Sequence, residues 1–250
     1  MRYALVMAGI LILAAIGCKK DKVNDKTPVE TGTMTDIDGN TYKTVKIGGK
    51  WWMAQNLKVR RFRNGDSISK IEDATLWEGT TPACCYFYNA KEYNIYGLLY
   101  NGYAVMNTDT AHLIAPRGWH VPSDVEWKAL EQAVGMSKDD AEKVNWRGKD
   151  EGDKLKLSEE ERLRTWQRYG SVWATNESGF SAMAGGCRMY KKFDAGEWSS
   201  PGASYVGFWW SSTHGSDSTL WYRSLDYKNA NVFRYHGQMA YGMSIRCVKD

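Results

Sequence analysis

Histidine is scarce in this chain, and the spacings that metal binding or catalysis would need are missing. The 250 residues include only four histidines, His112, His120, His214 and His236, and none stands at metal-ligand spacing with another histidine, cysteine or carboxylate. A Gly-x-Ser-x-Gly elbow and a phosphate-binding loop are absent as well. We therefore expect no catalytic residue, no metal ion and no cofactor.

A strong charge imbalance is also absent. Lys and Arg number 33 against 29 Asp and Glu, which gives a formal net charge of +4, and the basic residues are spread along the chain. Nucleic-acid-binding domains gather such charge into a patch or a stripe. The sequence predicts no nucleic-acid partner.

The one long apolar run is too short for a membrane-spanning helix, which needs roughly 20 apolar residues. Residues 3–16 are almost all apolar, follow Arg2 and lead through small residues to Cys18. This order is typical of a bacterial secretory signal with a lipobox. It predicts a signal peptide over 1–17 and acyl chains on Cys18 that hold the protein to the outer membrane. The protein would face the periplasm or the cell surface; the alternatives are an uncleaved anchor and a simple secreted protein.

The remaining chain divides into a tether and one domain. Residues 19–32 are polar and contain almost no core-forming side chains, so 18–32 is predicted to be the lipidated cysteine and a flexible tether. Residues 33–250 are numerous enough to bury a substantial core as a single domain.

Tryptophan and tyrosine are abundant where phenylalanine is rare: 12 Trp and 15 Tyr stand against six Phe. Both residues carry a polar group, so they suit hydrogen-bonded cores and sugar-stacking surfaces. The 24 glycines indicate many turns, and few long helical periods occur. The composition predicts an α+β domain with few helices, short antiparallel strands and long loops.

Local sequence patterns predict the positions of several strands, helices and turns. Strands joined by tight turns are predicted over 33–58, and Asp36–Asn40 is interpreted as a turn and not as a calcium loop, because its glycine comes too early. The clearest helix begins at Pro122, is capped by Ser123 and Glu126, and stops at Gly135. A second helix is predicted over 158–168. Later strands are expected at 179–183, 207–213, 221–225, 232–235 and 242–250.

Seven segments in a fixed order resemble a known family. The segments are 35–42, 51–57, 96–101, 118–127, 176–182, 209–212 and 246–250. Through them the chain resembles the Fibrobacter succinogenes major paralogous domain, found in exported bacterial proteins. The Gly-Trp-His-Val-Pro-Ser-Asp run at 118–124 looks like the helix entry of C-type-lectin-like and formylglycine-generating-type domains. The resemblance implies a C-type-lectin-like fold, and it implies no chemistry.

Disulfide pairing stays open at the level of sequence. Four cysteines remain after Cys18, and four cysteines allow three connectivities. A bond between the neighbours Cys84 and Cys85 would strain the backbone. Cys187 with Cys247 is the preferred pair; the alternative is that Cys84 or Cys85 bridges to a later cysteine. The chain departs from the family pattern at Ala115, where a cysteine is common, and at Cys187, where an aromatic residue is more usual.

An aromatic loop is the best candidate for ligand binding. Calcium-dependent C-type lectins use Glu-Pro-Asn or Gln-Pro-Asp followed by Trp-Asn-Asp, and these tripeptides are absent. Residues 188–206 instead mix Gly, Ser and Lys with rigid aromatic anchors. The predicted ligand-binding residues are Tyr190, Phe193, Trp198 and Tyr205; the alternative is that they pack the loop against the domain.

Together these features predict a non-enzymatic, envelope-anchored lipoprotein whose lectin-like domain binds an extracellular glycan or protein. One alternative is a structural accessory of a surface assembly. Another is a formylglycine-generating-type enzyme, which would need a reactive, exposed thiol.

Overall fold

The molecule is built from short strands, short helices and long connections. The computed structural model describes residues 29–106, 112–158, 166, 172–190, 192–194 and 205–250. The first elements, in chain order, are β1 (Thr31–Thr35), β2 (Thr41–Ile47), β3 (Lys50–Met53), β4 (Ser69–Lys70), α1 (Ala74–Trp77), β5 (Ala83–Cys85), β6 (Leu99–Asn101), α2 (Gly102–Val105) and β7 (Trp119–His120). Two 3-10 turns, Phe87–Asn89 and Lys91–Tyr96, lie between β5 and β6.

The second half holds the longest strands. Its elements are α3 (Asp124–Ala133), α4 (Lys138–Glu142), β8 (Asn145–Arg147), α5 (Glu151–Leu155), β9 (Cys187–Met189), β10 (Lys192–Asp194), β11 (Val206–Ser216), β12 (Thr219–Asp226), β13 (Val232–Gln238), β14 (Gly242–Met243) and β15 (Val248–Lys249).

In the described part of the chain, these strands form three sheets. Their orders are β1-β2-β3-β15-β7, β10-β9-β14-β6-β5-β4 and β11-β12-β13-β8. All of these pairings are antiparallel except that of β4 with β5. The α+β prediction is confirmed: small antiparallel sheets carry a few short helices.

The predicted N-terminal strands and their turn are confirmed. The Asp36 carboxylate accepts hydrogen bonds from the Asp38 and Asn40 backbone N–H groups and from the Tyr42 hydroxyl. Side-chain capping of this kind is what Asp contributes to a tight turn. Strand β1 begins at Thr31, so regular structure starts two residues before the predicted domain start at 33, inside the stretch assigned to the tether.

The predicted capping box is confirmed at α3. The Ser123 hydroxyl accepts a hydrogen bond from the Glu126 N–H, and the Glu126 carboxylate accepts one from the Ser123 N–H at 2.9 Å. Trp127 and Leu130 are buried on the inner side of the helix. The helix ends at Ala133, and Gly135 follows with φ of 119°, a backbone conformation that suits glycine.

The later strands are confirmed with one exception. Segments 207–213, 221–225 and 232–235 lie within β11, β12 and β13, and 242–250 contains β14 and β15. The strand predicted at 179–183 is wrong. Gly179 and Ser181 have φ of 71° and 54°, and the Ser181 N–H is bonded by the Asn176 side chain. Local side-chain bonding holds this segment as turns.

Several predictions fall outside the described residues. They are the signal peptide over 1–17, Cys18, the tether up to residue 28, and the helix over 158–168 apart from residues 158 and 166. Among the helices that the structure does describe, none has the length and apolar character needed to cross a membrane.

Tryptophan is prominent in the core, a use to which its abundance in the sequence is suited. Trp52, Trp119, Trp127, Trp209 and Trp210 are buried, while Trp51 is half-buried. The Trp52 and Trp127 rings lie 5.4 Å apart between their centroids beneath α3.

Asn56 ties this core together. Its amide oxygen accepts hydrogen bonds from Trp209 Nε1 at 2.9 Å and Arg246 Nε at 2.8 Å. Its amide nitrogen donates to the Tyr96 carbonyl and the Ser244 hydroxyl. One buried side chain therefore joins four segments that are distant in sequence.

The predicted disulfide between Cys187 and Cys247 is not formed. Cys187 begins β9 in the six-stranded sheet, whereas the Cys247 carbonyl accepts a hydrogen bond from Met53 in the five-stranded sheet. Cys187 is part of one sheet and Cys247 lies beside another, directly before β15, so no shared strand edge brings their sulfurs together. Cys84 and Cys85 are also free, and all four described thiols are buried; the alternative bridges are absent as well.

Candidate functional site

The two faces of the four-stranded sheet carry different side chains, because residues alternate between the faces along β13. Successive residues of a strand point to opposite faces. Val232 and Arg234 lie on the inner face, toward α3, while Phe233 and Tyr235 lie on the outer face. The strand pairs with β12 on one side and with β8 on the other, so both neighbours extend these two faces.

The inner face holds a buried network of charges. Arg223 donates to Glu131 Oε1 at 2.6 Å and to Asp124 Oδ1 at 2.8 Å. Arg234 donates to Asp124 Oδ2 at 2.8 Å, and Arg147 donates to Glu131 Oε2. Burial opposes ionisation of Asp124, but the hydrogen bonds and positive charges of Arg234 and Arg223 outweigh it and lower its pKa to about 2. This network fixes α3 to the sheet.

The outer face carries aromatic rings that are exposed near β8 and packed against the core near β12. Trp146 pairs with Phe233 across the strands, with ring centroids 5.2 Å apart. Tyr235 follows Phe233 at 6.2 Å, and the buried Tyr222, on the neighbouring strand β12, lies 6.1 Å from Phe233. Trp146 is 37% exposed and Tyr235 is 40% exposed. Two further rings, those of Tyr241 and Tyr190, continue this surface. We name the whole surface the aromatic strip; its members are Trp146, Phe233, Tyr235, Tyr241 and Tyr190.

Gly237 lets the strip continue beyond Tyr235. A β-carbon at Gly237 would lie 3.0 Å from Tyr241 Cδ2 and 3.3 Å from Tyr222 Cε1. Tyr241 therefore lies over a position where the strand has no side chain. Its ring contacts Tyr190 edge-on, with centroids 5.1 Å apart. Burial, together with a hydrogen bond to Tyr190, raises the pKa of Tyr241 to about 12.

Tyr190 is held in an unusual backbone conformation at the turn between β9 and β10. Its φ is 52°, and its side chain is 50% exposed. A non-glycine residue in the left-handed region costs on the order of 1 kcal/mol, and such residues cluster at functional sites. The turn thus presents an aromatic ring to solvent at the far end of the strip.

The strip is uncharged along the strands that carry it. The outward residues of β8 and β13, which are described in full, are Trp146, Phe233, Tyr235 and Gly237. Burial raises the pKa of Tyr222, which lies on the same face of the sheet.

The four predicted ligand-binding residues do not form one site. Tyr190 belongs to the strip. Phe193 packs elsewhere, with its ring 5.7 Å from Phe87 and 5.4 Å from Tyr88. Tyr205 lies 5.1 Å from Tyr227 and lines a separate groove of about 420 Å³. Trp198 lies outside the described residues.

Sequence reasoning missed four members of the strip. For Phe233 and Tyr235 a signal existed: aromatic residues alternate with Arg234 and His236 along the strand, a period-2 pattern with two different faces. Trp146 and Tyr241 had no such signal, because only the pairing of β8 with β13 and the fold of the turn before β14 bring them to this surface.

The histidines and acids take structural positions where they are described. His120 Nδ1 lies 2.6 Å from Asp250 Oδ1, and its Nε2 lies 2.8 Å from Glu126 Oε1. His120 therefore links the start of α3 to the last residue of the chain. Within the described ranges, no group of three or more His, Cys, Asp or Glu residues is placed to hold a metal ion.

The cysteine thiols are not poised for reaction. Burial is the first cause that raises the pKa of Cys84 and of Cys85, each to about 12. Burial also raises the pKa of Cys187 and Cys247. Because the thiolate is the reactive form, thiols in such surroundings are inert.

Among the comparisons with known proteins, one gives a match, to a family model. Searches of curated proteins and of solved structures give no match. The family model described as Fibrobacter succinogenes major domain matches residues 45–249, which include every strand from β3 to β15 and all the described helices. Six of the seven sequence segments begin within this match, and the chain belongs to the Fibrobacter succinogenes major domain family.

Proposed function

We propose that this protein is a non-catalytic, envelope-anchored binding module whose aromatic strip contacts an extracellular glycan. The observation that carries the proposal is the exposure of Trp146 and Tyr235 on the sheet and of Tyr190 on the β9–β10 turn. Large exposed aromatic patches on a folded domain mark interaction sites. Aromatic rings also suit the apolar faces of sugar rings, and tyrosine hydroxyls add hydrogen bonds.

A C-type-lectin-like fold is part of the proposal. It is supported by the helix that begins directly after the Gly-Trp-His-Val-Pro-Ser run and by three small sheets joined through long connections. A third support is strand β15, which pairs with both β3 and β7. This pairing places the end of the chain beside the early strands of the domain.

The anchor is proposed from sequence. Acyl chains on Cys18 would hold the domain to the outer membrane, with each buried methylene contributing about 0.8 kcal/mol. Growth with radioactive palmitate should label the wild-type protein, and Cys18→Ser should lose both the label and membrane association. Retention of the label in Cys18→Ser would contradict lipidation at this residue.

Absence of catalysis is supported by the state of the thiols. A formylglycine-generating-type enzyme would need an accessible, reactive cysteine, whereas the four described thiols are buried with raised pKa values. A thiol reagent should leave these four cysteines unmodified in the folded protein and modify them after denaturation. Fast modification of any of them in the folded protein would favour the enzymatic alternative.

The proposed function is tested with the full-length protein in detergent micelles on a glycan array and on insoluble polysaccharides. Binding should survive a calcium chelator, because the strip contains no ligand set for a hard cation. Loss of binding in chelator would contradict a calcium-independent site. No binding to any glycan would contradict the glycan ligand and favour the alternative, a structural accessory of a surface assembly.

A further inference from the structure

We infer that the free edge of β1 is an interface at which two copies of this chain pair, strand against strand, about a two-fold axis at Thr33. Strand β1 stands first in the order of the five-stranded sheet, so one of its edges has no neighbouring strand in the described part of the chain. An edge strand leaves a row of backbone N–H and C=O groups that can pair with another chain. The inference goes beyond glycan binding and does not depend on it.

The backbone groups that point away from β2 belong to three threonines. In an antiparallel pair, every second residue exchanges hydrogen bonds with the partner strand, and the residues between turn their groups to the other side. Glu30 and Asp36, which flank β1, are each joined through the backbone to the residue opposite, at 2.9 and 3.0 Å. The even-numbered residues of β1 therefore face β2, and Thr31, Thr33 and Thr35 direct their N–H and C=O groups outward.

The other edges of the described sheets are short, charged or covered. Strands β4 and β7 have two residues each and β8 and β10 have three, and all of these except β7 contain Lys or Arg. The long β11 is joined on its second side to Gly186 and Ser244. Natural sheets discourage pairing between edges by short strands, charges and proline. Strand β1 has five residues, no charge and no proline, so it lacks these protections.

A two-fold axis at Thr33 would use every outward group of β1. Thr33 would lie opposite Thr33 of the second copy, and Thr31 would lie opposite Thr35. Each opposed pair would exchange two hydrogen bonds, as hydrogen-bonded pairs do in any antiparallel sheet. Opposed threonines are also favourable cross-strand neighbours. Such an interface is self-complementary and closes at the dimer.

Two exposed apolar side chains extend this symmetry. Val29 is 41% exposed and Ile37 is 46% exposed, and they lie four residues before and four residues after Thr33. The same axis would bring Val29 of each copy near Ile37 of the other, and burial of apolar surface is favourable. The acidic residues beside them already have partners: Glu30 forms a salt bridge to β2, and the Asp36 carboxylate accepts hydrogen bonds within its own turn.

The expected dimer is reversible. A pair of five-residue strands is a small interface, and small interfaces belong to transient complexes. The proposed anchor on Cys18 would favour pairing by confining the copies to one membrane. The test is sedimentation equilibrium of the full-length protein in density-matched detergent micelles. The dimer fraction should rise with the ratio of protein to detergent.

Charges placed at the axis test the register. Thr33→Lys sets two positive charges opposite each other and Thr33→Glu sets two negative ones, so each variant alone should dimerise roughly tenfold more weakly or worse. An equimolar mixture of the two should dimerise again, because Lys then faces Glu. Thr41→Lys is the matched control: Thr41 is an exposed threonine on β2, away from the free edge, and its variant should behave as the wild type does.

The Thr33→Lys variant also measures how many copies share a micelle by chance, and circular dichroism melting curves verify that each variant is folded. Three outcomes would overturn the inference. Wild-type protein that is no more dimeric than Thr33→Lys at any ratio would leave the edge to a strand of a different protein. Equal losses in Thr33→Lys and Thr41→Lys would place the contact elsewhere. Failure of the mixed Lys and Glu variants to associate would contradict a two-fold axis at Thr33.

Discussion

The two faces of the four-stranded sheet are built from alternate residues of the same strands, yet they have opposite chemistry. On the inner face, Arg147, Arg223 and Arg234 are buried and paired with Asp124 and Glu131. On the outer face, Trp146 and Tyr235 are exposed and the neighbouring positions are uncharged. One face holds the helix in place, and the other is the face that we propose contacts a glycan.

The difference shows how one strand can fix a sheet to a helix on one side and leave aromatic rings exposed on the other. The inner charges fix the sheet against α3 through short, directional bonds. On the outer face, Phe233 and Tyr241 pack against the core, while Trp146 and Tyr235 stay exposed. Substitutions on the inner face should therefore change stability, and substitutions on the outer face should change binding. The predictions below test this division, from the largest expected effect to the smallest.

Removal of Glu131 should produce the largest loss of stability. Its carboxylate is fully buried between Arg147 and Arg223, so Glu131→Ala leaves buried positive charge without a partner. The free energy of unfolding should fall by about 3–5 kcal/mol, measured by urea denaturation. Glu142→Ala is the matched control: Glu142 pairs with Lys128 at the surface and should cost less than about 1 kcal/mol. Equal losses in the two variants would contradict the buried network.

Acid should weaken the ion pairs of the inner face. The pKa of Asp124 is lowered to about 2 from an ordinary value of 3.8, so its contribution is complete above pH 4 and is lost as the pH falls through 2. The loss is on the order of 2 kcal/mol. Urea denaturation midpoints measured from pH 5 to pH 2 should fall, and Asp124→Asn should flatten this dependence. An unchanged dependence in Asp124→Asn would refute the assignment.

Loss of the cap of α3 should have a smaller effect. Ser123→Ala removes the hydroxyl that accepts from the Glu126 N–H, and it should lower the free energy of unfolding by about 1 kcal/mol. Ser123→Thr keeps a hydroxyl and should restore most of the loss. Urea denaturation measures both, and equal stability of Ser123→Ala and the wild type would rule out a contribution from the cap.

The outer face should show the smallest change in stability. Trp146→Ala and Tyr235→Ala remove exposed rings, and each should change the free energy of unfolding by only about 0.5 kcal/mol while glycan binding falls. Both quantities are measured on the same preparation. A loss of stability as large as that of Glu131→Ala would show that the strip serves packing and not binding.

Much of the scaffold could be predicted because its signals are local. The Ser123–Glu126 capping box fixes the start of α3, Asp36 fixes a turn, and alternating β-forming residues mark β2, β12 and β13. Such features depend on neighbours within a few residues. The strand predicted at 179–183 was wrong. Its apolar residues are typical of a strand, but the Asn176 side chain holds the backbone in turns.

The candidate site was harder to predict because it depends on distant pairing. Tyr190 was identified from the composition of its loop, but Phe193 and Tyr205, from the same loop, pack into other aromatic clusters. Trp146 reaches the strip only because β8 pairs with β13, which lies far along the chain. No local pattern in the sequence encodes such a pairing.

The four bonds of Asn56 have a consequence for the rate of folding. Two of its partners, Trp209 and Arg246, lie 153 and 190 positions further along the chain. Contacts of such long sequence separation require large loops to close first, and they slow folding. The amide stays without these partners until almost the whole domain is available for folding. We expect this chain to fold as a unit. Its N-terminal strands should become stable only after the last strands have formed.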